Sequence, residues 1–533
     1  MNTFRRDFLK LAGGSVAAAT ASTILAPGAH AAPAPVPGAG TSYIFNVKMY
    51  GAVGDGKTID TPAINAAIEA ASAAGGGTVL LPSGTYLCYS IRLKSNIALY
   101  LENGTTIVAA DGNNYDAAEP NPWEKYQDYG HNHWKNSLIW GIDLHDIAIL
   151  GGGLIDGSKL AHSSRFGAKE TQEDAPGLGN KTIGLKSCHN VILRDFKILN
   201  GGHFGILATG VDNMTIDNLI IDTNRDGMDI DCCKNVRVTN CTVNSPLDDG
   251  ICPKSSFALG YARATENLTI SNCMLAGSYV IGSVIDGTWK KYPPEKTNIG
   301  RTGRIKCGTE STGGFKNITV TNCVFDGSAG IALETADGAQ LEDVTFTGIT
   351  MRDCTNTPIF LRICRRMRAP EGTPIGSIKR VILSNFTSYN GVSDFACEIM
   401  GIPGHMVEDV KISDMYLHHQ GGGTAETAKL VPPEDEGKYP DPRRFGLLPA
   451  HGFFVRHAKN IEFSNIELAY DKPDARPAFW LSDVDGADFF RVKQPKTATA
   501  AMFNLVSGVK DFRVFASRGV KDTELASADN KTL

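Results

Sequence analysis

The chain has 533 residues, 42% hydrophobic and 20% charged, with 57 glycines and 25 prolines. That composition describes a folded, turn-rich protein and argues against one built from long helices. A formal net charge of −5 gives no global basic field, which excludes a typical nucleic-acid binder but leaves room for a local basic patch that holds an acidic glycan.

Residues 1–31 carry the three parts of an export signal: Arg5-Arg6-Asp7-Phe8-Leu9-Lys10, an apolar stretch from Leu11 to Ala26, and Ala29-His30-Ala31, with cleavage expected after Ala31. The paired arginines followed by Phe8 and Leu9 resemble a twin-arginine signal. That implies the twin-arginine export machinery as a partner and a periplasmic or secreted destination. A general secretory signal is the alternative. The stretch is short and is followed by Pro33-Ala34-Pro35, so no membrane anchor is expected. Residues 32–43 read as a flexible mature N-terminus, 44–520 as a single domain and 521–533 as a C-terminal tail.

One helix is expected early, with Asp60 or Thr61 as its cap, Pro62 in the first turn and Ile64, Ala67, Ile68 and Ala71 on one apolar stripe before Gly75-Gly76-Gly77. From about residue 145 a phrase then repeats. Asn190-Val-Ile-Leu-Arg-Asp-Phe, Asn213-Met-Thr-Ile-Asp-Asn-Leu, Asn235-Val-Arg-Val-Thr-Asn-Cys, Asn267-Leu-Thr-Ile-Ser-Asn-Cys and Asn317-Ile-Thr-Val-Thr-Asn-Cys are copies, and weaker ones begin near Val344, Val381, Val410 and Ile461. The first starts are 23 and 22 residues apart, room for three short strands and their turns. Period-two alternation makes each phrase a strand with one inward face, and a coil of this length buries that face only by stacking on its neighbours. The expected fold is all-β: a right-handed parallel β-helix with a short N-terminal capping helix. Leucine-rich repeats and propellers fit the pattern less well. Cys241, Cys273 and Cys323 hold one place in the phrase and are expected to stack as small buried side chains. No Cys/His cluster has metal-ligand spacing, so no metal and no cofactor is expected. Gly421 to Pro449 reads as a long surface loop.

The repeat also sets out candidate site residues. Asp226 lies 13 residues after Asn213, and Asp248 13 after Asn235, which would give them equivalent places on adjacent rungs, with Asp249 next in the chain. Three carboxyl groups packed together repel, so at least one pKa rises. A raised carboxyl beside an ionised one is the pair that acid/base hydrolysis needs. Rung spacing alone puts them nearer the roughly 5 Å of retaining glycosidases than the 6.5–9.5 Å of inverting ones. The competing view is that Asp226-Gly227 and Asp249-Gly250 are merely turns. Asp229 and Asp231 read as structural. Arg304 and Lys306 point to one side of a strand and suit a sugar carboxylate. His203, 13 residues after Asn190, extends the column, and Asn224 and Lys254 are further candidates for substrate binding. The run Arg362, Arg365, Arg366 and Arg368 reads as a solvated face rather than a subsite.

Asn224-Arg225-Asp226-Gly227, Leu247-Asp248-Asp249-Gly250 and Arg304-Ile305-Lys306 resemble the Asn-Thr-Asp, Asp-Asp and Arg-Ile-Lys motifs of glycoside hydrolase family 28, the polygalacturonases and rhamnogalacturonan hydrolases. The opening Phe45-Asn46-Val47 through Gly51-Ala-Val-Gly-Asp-Gly56 is similar to the start of many pectin-active β-helices. The resemblance spans about residues 44 to 480. It implies Asp248 as general acid, Asp226 and Asp249 activating water, Arg304 and Lys306 on the galacturonate carboxylate, and inversion of the anomeric centre. Two departures stand out. Arg225 replaces a threonine, and the Gly-His-Gly motif of polygalacturonases falls on Ala276-Gly277-Ser278, without its histidine. Rhamnogalacturonan hydrolases also lack that histidine, so the implied substrate is a galacturonosyl bond in rhamnogalacturonan, or oligomers attacked from an end. Insertions around Trp289-Lys290-Lys291-Tyr292 and after Gly421 would favour end attack by walling off the groove. The chain is expected to act as a monomer on an acidic plant polysaccharide. A polysaccharide lyase and a non-catalytic adhesin on the same scaffold are the rival readings.

Overall fold

The computed structural model describes residues 43–128, 130–162, 175–291 and 301–533. The export signal and most of the expected flexible N-terminus lie outside them, as does Tyr292 of one insertion. The described chain winds into a right-handed parallel β-helix with three strands per coil. One coil runs through Phe204–Thr209, Asp212–Asp217 and Ile220–Asp222, and the next through Asp226–Asp231, Lys234–Thr239 and Thr242–Asn244. Each strand pairs in parallel with its counterpart on the next coil.

The inward side chains stack as ladders. Ile183, Ile206, Met228, Ile251, Ile305, Ile331 and Ile359 are successive register mates and all are buried. Burying each such side chain contributes about 1.5–3 kcal/mol, which drives the stacking. The repeated asparagines explain why the phrase recurs. Asn190, Asn213, Asn235, Asn267 and Asn317 all adopt φ between 52° and 57°, a left-handed conformation that asparagine tolerates better than most residues. Their amides also form a chain, each Nδ2 donating to the Oδ1 of the previous rung at 3.0–3.2 Å. Cys241, Cys273 and Cys323 are buried on successive rungs, and all twelve cysteines are free.

The capping helix is Thr61–Ala73, with the expected stripe of Ile64, Ala67, Ile68 and Ala71 fully buried. Asp60 does not cap it through its side chain. Its carboxylate instead accepts from Val53 N at 2.6 Å and Gly54 N at 2.9 Å, so it fastens the preceding loop. At the other end, the expected tail corrects to structure. Thr523–Ala528 and Lys531–Thr532 pair antiparallel with Phe503–Phe515, where no further parallel coil follows and the exposed edge needs a partner. Among the described residues no helix is long and apolar enough to cross a membrane.

Candidate active site

The site lies on one sheet, where Asp226–Asp231, Ile251–Lys254 and Ile305–Cys307 run side by side. Register corrects the count made along the repeat. Met228 pairs with Ile251, and Gly227 N donates to Asp249 O at 3.0 Å, so Asp226 is the rung mate of Asp249 and not of Asp248. Phe204, not His203, is its mate on the other side. Both shifts have one cause. The turn from Asp222 to Asp226 is one residue shorter than its neighbours, Leu199 to Phe204 and Asn244 to Asp249, although Leu199, Asp222 and Asn244 are themselves in register. The turns still bond across the coils, as in Thr223 N to Asn244 O at 3.0 Å and Leu247 N to Asn224 O at 2.9 Å, and the one-residue difference is absorbed between those bonds and the strand. It leaves Asp248 projecting from its turn while Asp226 and Asp249 sit in the sheet.

Two of the three carboxyl groups converge on the amide of the third. Asp249 N lies 3.1 Å from Oδ1 of both Asp226 and Asp248. Asp226 and Asp249 are buried, whereas the Asp248 side chain is 27% exposed. Arg304 Nε reaches Asp249 Oδ1 at 2.5 Å and Lys306 Nζ reaches its Oδ2 at 3.1 Å. Burial alone would raise Asp249, but these two cations outweigh it and hold the group ionised, at about 2. Asp226 goes the other way. Burial, then the charges of Asp248 and Asp229, push it well above the usual carboxylate range, with Lys254 opposing. Arg304 and Lys306 thus point together as their strand requires, but each is buried against Asp249.

Lys254, Asn224 and His203 are all buried. Lys254 Nζ lies 3.1 Å from Glu310 Oε2 and 3.7 Å from Asp229 Oδ2, and these anions keep it charged against the penalty of burial. It therefore neutralises the acidic floor and does not line open space. Asn224 Nδ2 donates to His162 O at 3.2 Å. The His203 ring lies against Phe204, and burial followed by the Arg225 charge keeps it neutral. Asp231 accepts from Ser256 N and Oγ, and Asp229 meets His131 at 3.0 Å, both structural roles. Arg225, at the rim, pairs with Asp248 at 3.1 Å. Two sets of donors, His131 with Asp226 and Asp229, and Asp226 with Asp249 and Cys252, come within 4.8 Å. Lys254, Arg304 and Lys306 already supply the positive charge there.

The absent histidine has a steric counterpart. A Cβ on Gly277 would meet the Thr302 carbonyl oxygen at 2.8 Å, and one on Gly303 would meet the Ala276 carbonyl at 2.1 Å. The two backbones pass too closely for side chains, and this contact carries the segment that leads into Arg304.

Past Lys306 the sheet continues through Ala332, Phe360, Glu398, Phe454 and Trp480 in register. The segment 422–450 covers it and is more than a surface loop. Phe445, Leu448 and Ala450 pack on Phe360, Met400, Phe454 and Trp480. Arg456 donates to the carbonyls of Pro432 at 2.9 Å and Pro433 at 2.8 Å, and Arg362 to that of Glu434. Tyr439 ends beside Lys306, at 3.0 Å. The arginine run divides: Arg362 is buried and Arg366 nearly so, paired with Asp337 and Asp128, whereas Arg365 and Arg368 stay exposed, as expected of a solvated face, while pairing with Glu436 and Asp128. Sequence reasoning missed His131, Glu310 and Tyr439, which no motif marks and which reach the site from distant loops.

Residues 44–279 match the family described as rhamnogalacturonase A/epimerase, pectate lyase-like. A probable polygalacturonase of Vitis vinifera is 25% identical over 404 residues, 72% of this chain and 75% of its own. The family 28 exopolygalacturonase of Yersinia enterocolitica has the same fold, with a TM-score of 0.62 at 18% identity over 84% of this chain and 78% of its own. Alginate lyase 7 of Azotobacter vinelandii is 54% identical over a short stretch of 66 residues, 12% of this chain and 8% of its own. With the coil, the Asp-Asp-Gly turn and the Arg-Ile-Lys strand in one order along the chain, the protein is a glycoside hydrolase similar to the polygalacturonases of family 28.

Proposed function

We propose that this enzyme hydrolyses α-galacturonosyl linkages of a pectin-type polysaccharide from a chain end, with inversion. The observation that carries the reading is the pair of buried register mates, Asp226 and Asp249, held in opposite protonation states beside the exposed Asp248. Asp249, ionised by Arg304 and Lys306, orients the attacking water and takes its proton. Asp226, which burial favours in its protonated form, and Asp248 both accept from the Asp249 amide. Asp248, the one open to the groove, protonates the glycosidic oxygen as the bond from the anomeric carbon breaks. The leaving sugar departs as an alcohol and water oxygen becomes the new anomeric hydroxyl.

End attack is supported by segment 422–450, which covers the sheet directly beyond Lys306. A galacturonosyl bond in rhamnogalacturonan, or in short galacturonide oligomers, is favoured by the missing histidine at Gly277. The enzyme is proposed to work as a monomer after export through the leader at residues 1–31, in the periplasm or beyond. Incubation with polygalacturonate, rhamnogalacturonan and defined oligomers should give new reducing ends, single acidic residues and no near-ultraviolet absorbance. Proton NMR of the first-formed anomer reports the stereochemistry. A product with a new double bond would identify a lyase and overturn the mechanism, and glycan binding without turnover would identify an adhesin.

A further inference from the structure

The covering segment delivers a tyrosine to Lys306, the cation that is paired with Asp249. The Tyr439 phenol oxygen accepts from Lys306 Nζ at 3.0 Å, and the ring centre lies 5.3 Å from that ammonium. Thr309 Oγ1 is 2.9 Å from the phenol and 3.3 Å from Glu334 Oε2. A threonine has one hydrogen to give. If Thr309 gives it to Glu334, the phenol donates to Thr309. If Thr309 gives it to Tyr439, the phenol oxygen has two donors and its own hydrogen is left over for a ligand. Among the described residues no other acceptor meets it. Arg304 and Lys306 are buried and already paired with Asp249, whereas Tyr439 is 37% exposed. Of these three side chains Tyr439 is therefore the one that keeps open surface, and in the second arrangement its phenol hydrogen is free for a ligand. An ammonium that donates to its oxygen polarises the O–H and favours an anionic acceptor.

We infer that Tyr439 is a substrate-positioning residue that donates its phenol hydrogen to the carboxylate of the uronic acid seated beside Asp249. The inference rests on the galacturonan reading above and extends it to a residue outside every family motif. Because Tyr439 belongs to the segment that covers the groove, the same contact marks where the bound glycan must end.

The test is Tyr439→Phe, which keeps the ring over Lys306 and removes only the hydroxyl. On free-acid galacturonide oligomers KM should rise about tenfold or more, the range expected for a lost hydrogen bond to a charged group, with kcat within about threefold. On the methyl ester of the same oligomer, read as KM or as an inhibition constant, the penalty should shrink to about threefold because a neutral acceptor binds more weakly. An unchanged KM, or an equal penalty on acid and ester, overturns the role while wild-type turnover leaves the galacturonan reading standing. Wild-type protein that neither cleaves nor binds any galacturonide overturns both.

Discussion

Asp226 and Asp249 are register mates on adjacent coils, both buried, yet their surroundings drive them to opposite protonation states. Asp249 has Arg304 at 2.5 Å and Lys306 at 3.1 Å. Asp226 has the negative charges of Asp248 and Asp229 beside it and only Lys254 in opposition. Equal burial therefore leaves one a strong acid and the other a weak one. Two carboxyl groups whose environments separate their pKa values are what acid/base hydrolysis requires, and here the cations of the next strand lower one while burial and neighbouring aspartates raise the other.

Substitutions should separate catalysis from stability at these positions. Asp248→Asn removes the proposed proton donor at the groove and should lower kcat by about 10²–10⁴, with a thermal midpoint close to wild type because the side chain is partly exposed. Asp226→Asn imitates the protonated state that burial already favours. A carboxyl whose folded pKa is raised loses stability as pH climbs from its unfolded value through the folded one. Asp226→Asn should thus be at least as stable as wild type at neutral pH while losing activity. Thermal unfolding beside oligosaccharide turnover checks both, and unchanged kcat in either variant would mean the site is misplaced.

Lys306→Met tests how Asp249 stays ionised. The folded pKa of Asp249 is depressed to about 2, so its ionised form contributes stability that is present above the unfolded value and lost as pH falls through the folded one. Without Lys306, burial pulls Asp249 back up. The acidic limb of the kcat/KM profile should move upward by about one pH unit or more. Breaking the buried pair should also cost about 3–5 kcal/mol at neutral pH. An acidic limb that stays in place would assign it to another group.

The coil was legible because its cause is local: an asparagine that accepts a left-handed turn, an apolar alternation and a cysteine or phenylalanine recur at nearly fixed spacing. The aspartates and the Arg-Ile-Lys strand were legible for the same reason. Register was not, because it depends on the length of the turn between Asp222 and Asp226, which counting from Asn213 cannot detect. Lys254 looked like a ligand because its partners were out of sight: Glu310 lies 56 residues ahead, and His131, which meets Asp229, lies 98 residues before that aspartate. Tyr439 was hidden further, inside a segment whose composition signalled only a loop.

Restoring the family histidine should fail for a steric reason. Gly277 has the Thr302 carbonyl 2.8 Å from its would-be Cβ, closer than such atoms approach, and Thr302 leads through Gly303 to Arg304. Gly277→His, and even Gly277→Ala, should displace that segment, loosen the pairing of Arg304 with Asp249 and reduce activity. The expected readouts are a lower thermal midpoint and lower kcat on every galacturonide. Gained activity on plain polygalacturonate would show that the contact yields easily and that the histidine alone had set the substrate.

The strongest test of end attack is to remove the cover itself. Residues 425–446 replaced by a short Gly/Ser linker would take away Phe445, Glu434 and Tyr439, and free Arg362 and Arg456 from the carbonyls they hold. Burial of Phe445 alone is worth about 3 kcal/mol, so the variant should unfold at a lower temperature, while the ladders beneath it, which do not depend on the segment, keep the coil intact by circular dichroism. With the sheet beyond Lys306 open and two arginines uncovered along it, longer acidic chains should bind across the carboxylates. Products from polymeric substrate should then shift from single residues towards a mixture of oligomers. A folded variant that still releases only single residues would mean that the end of the chain is selected elsewhere along the groove, with the 283–291 insertion, tied to Asp222, Asp326 and Asp353, as the next segment to shorten.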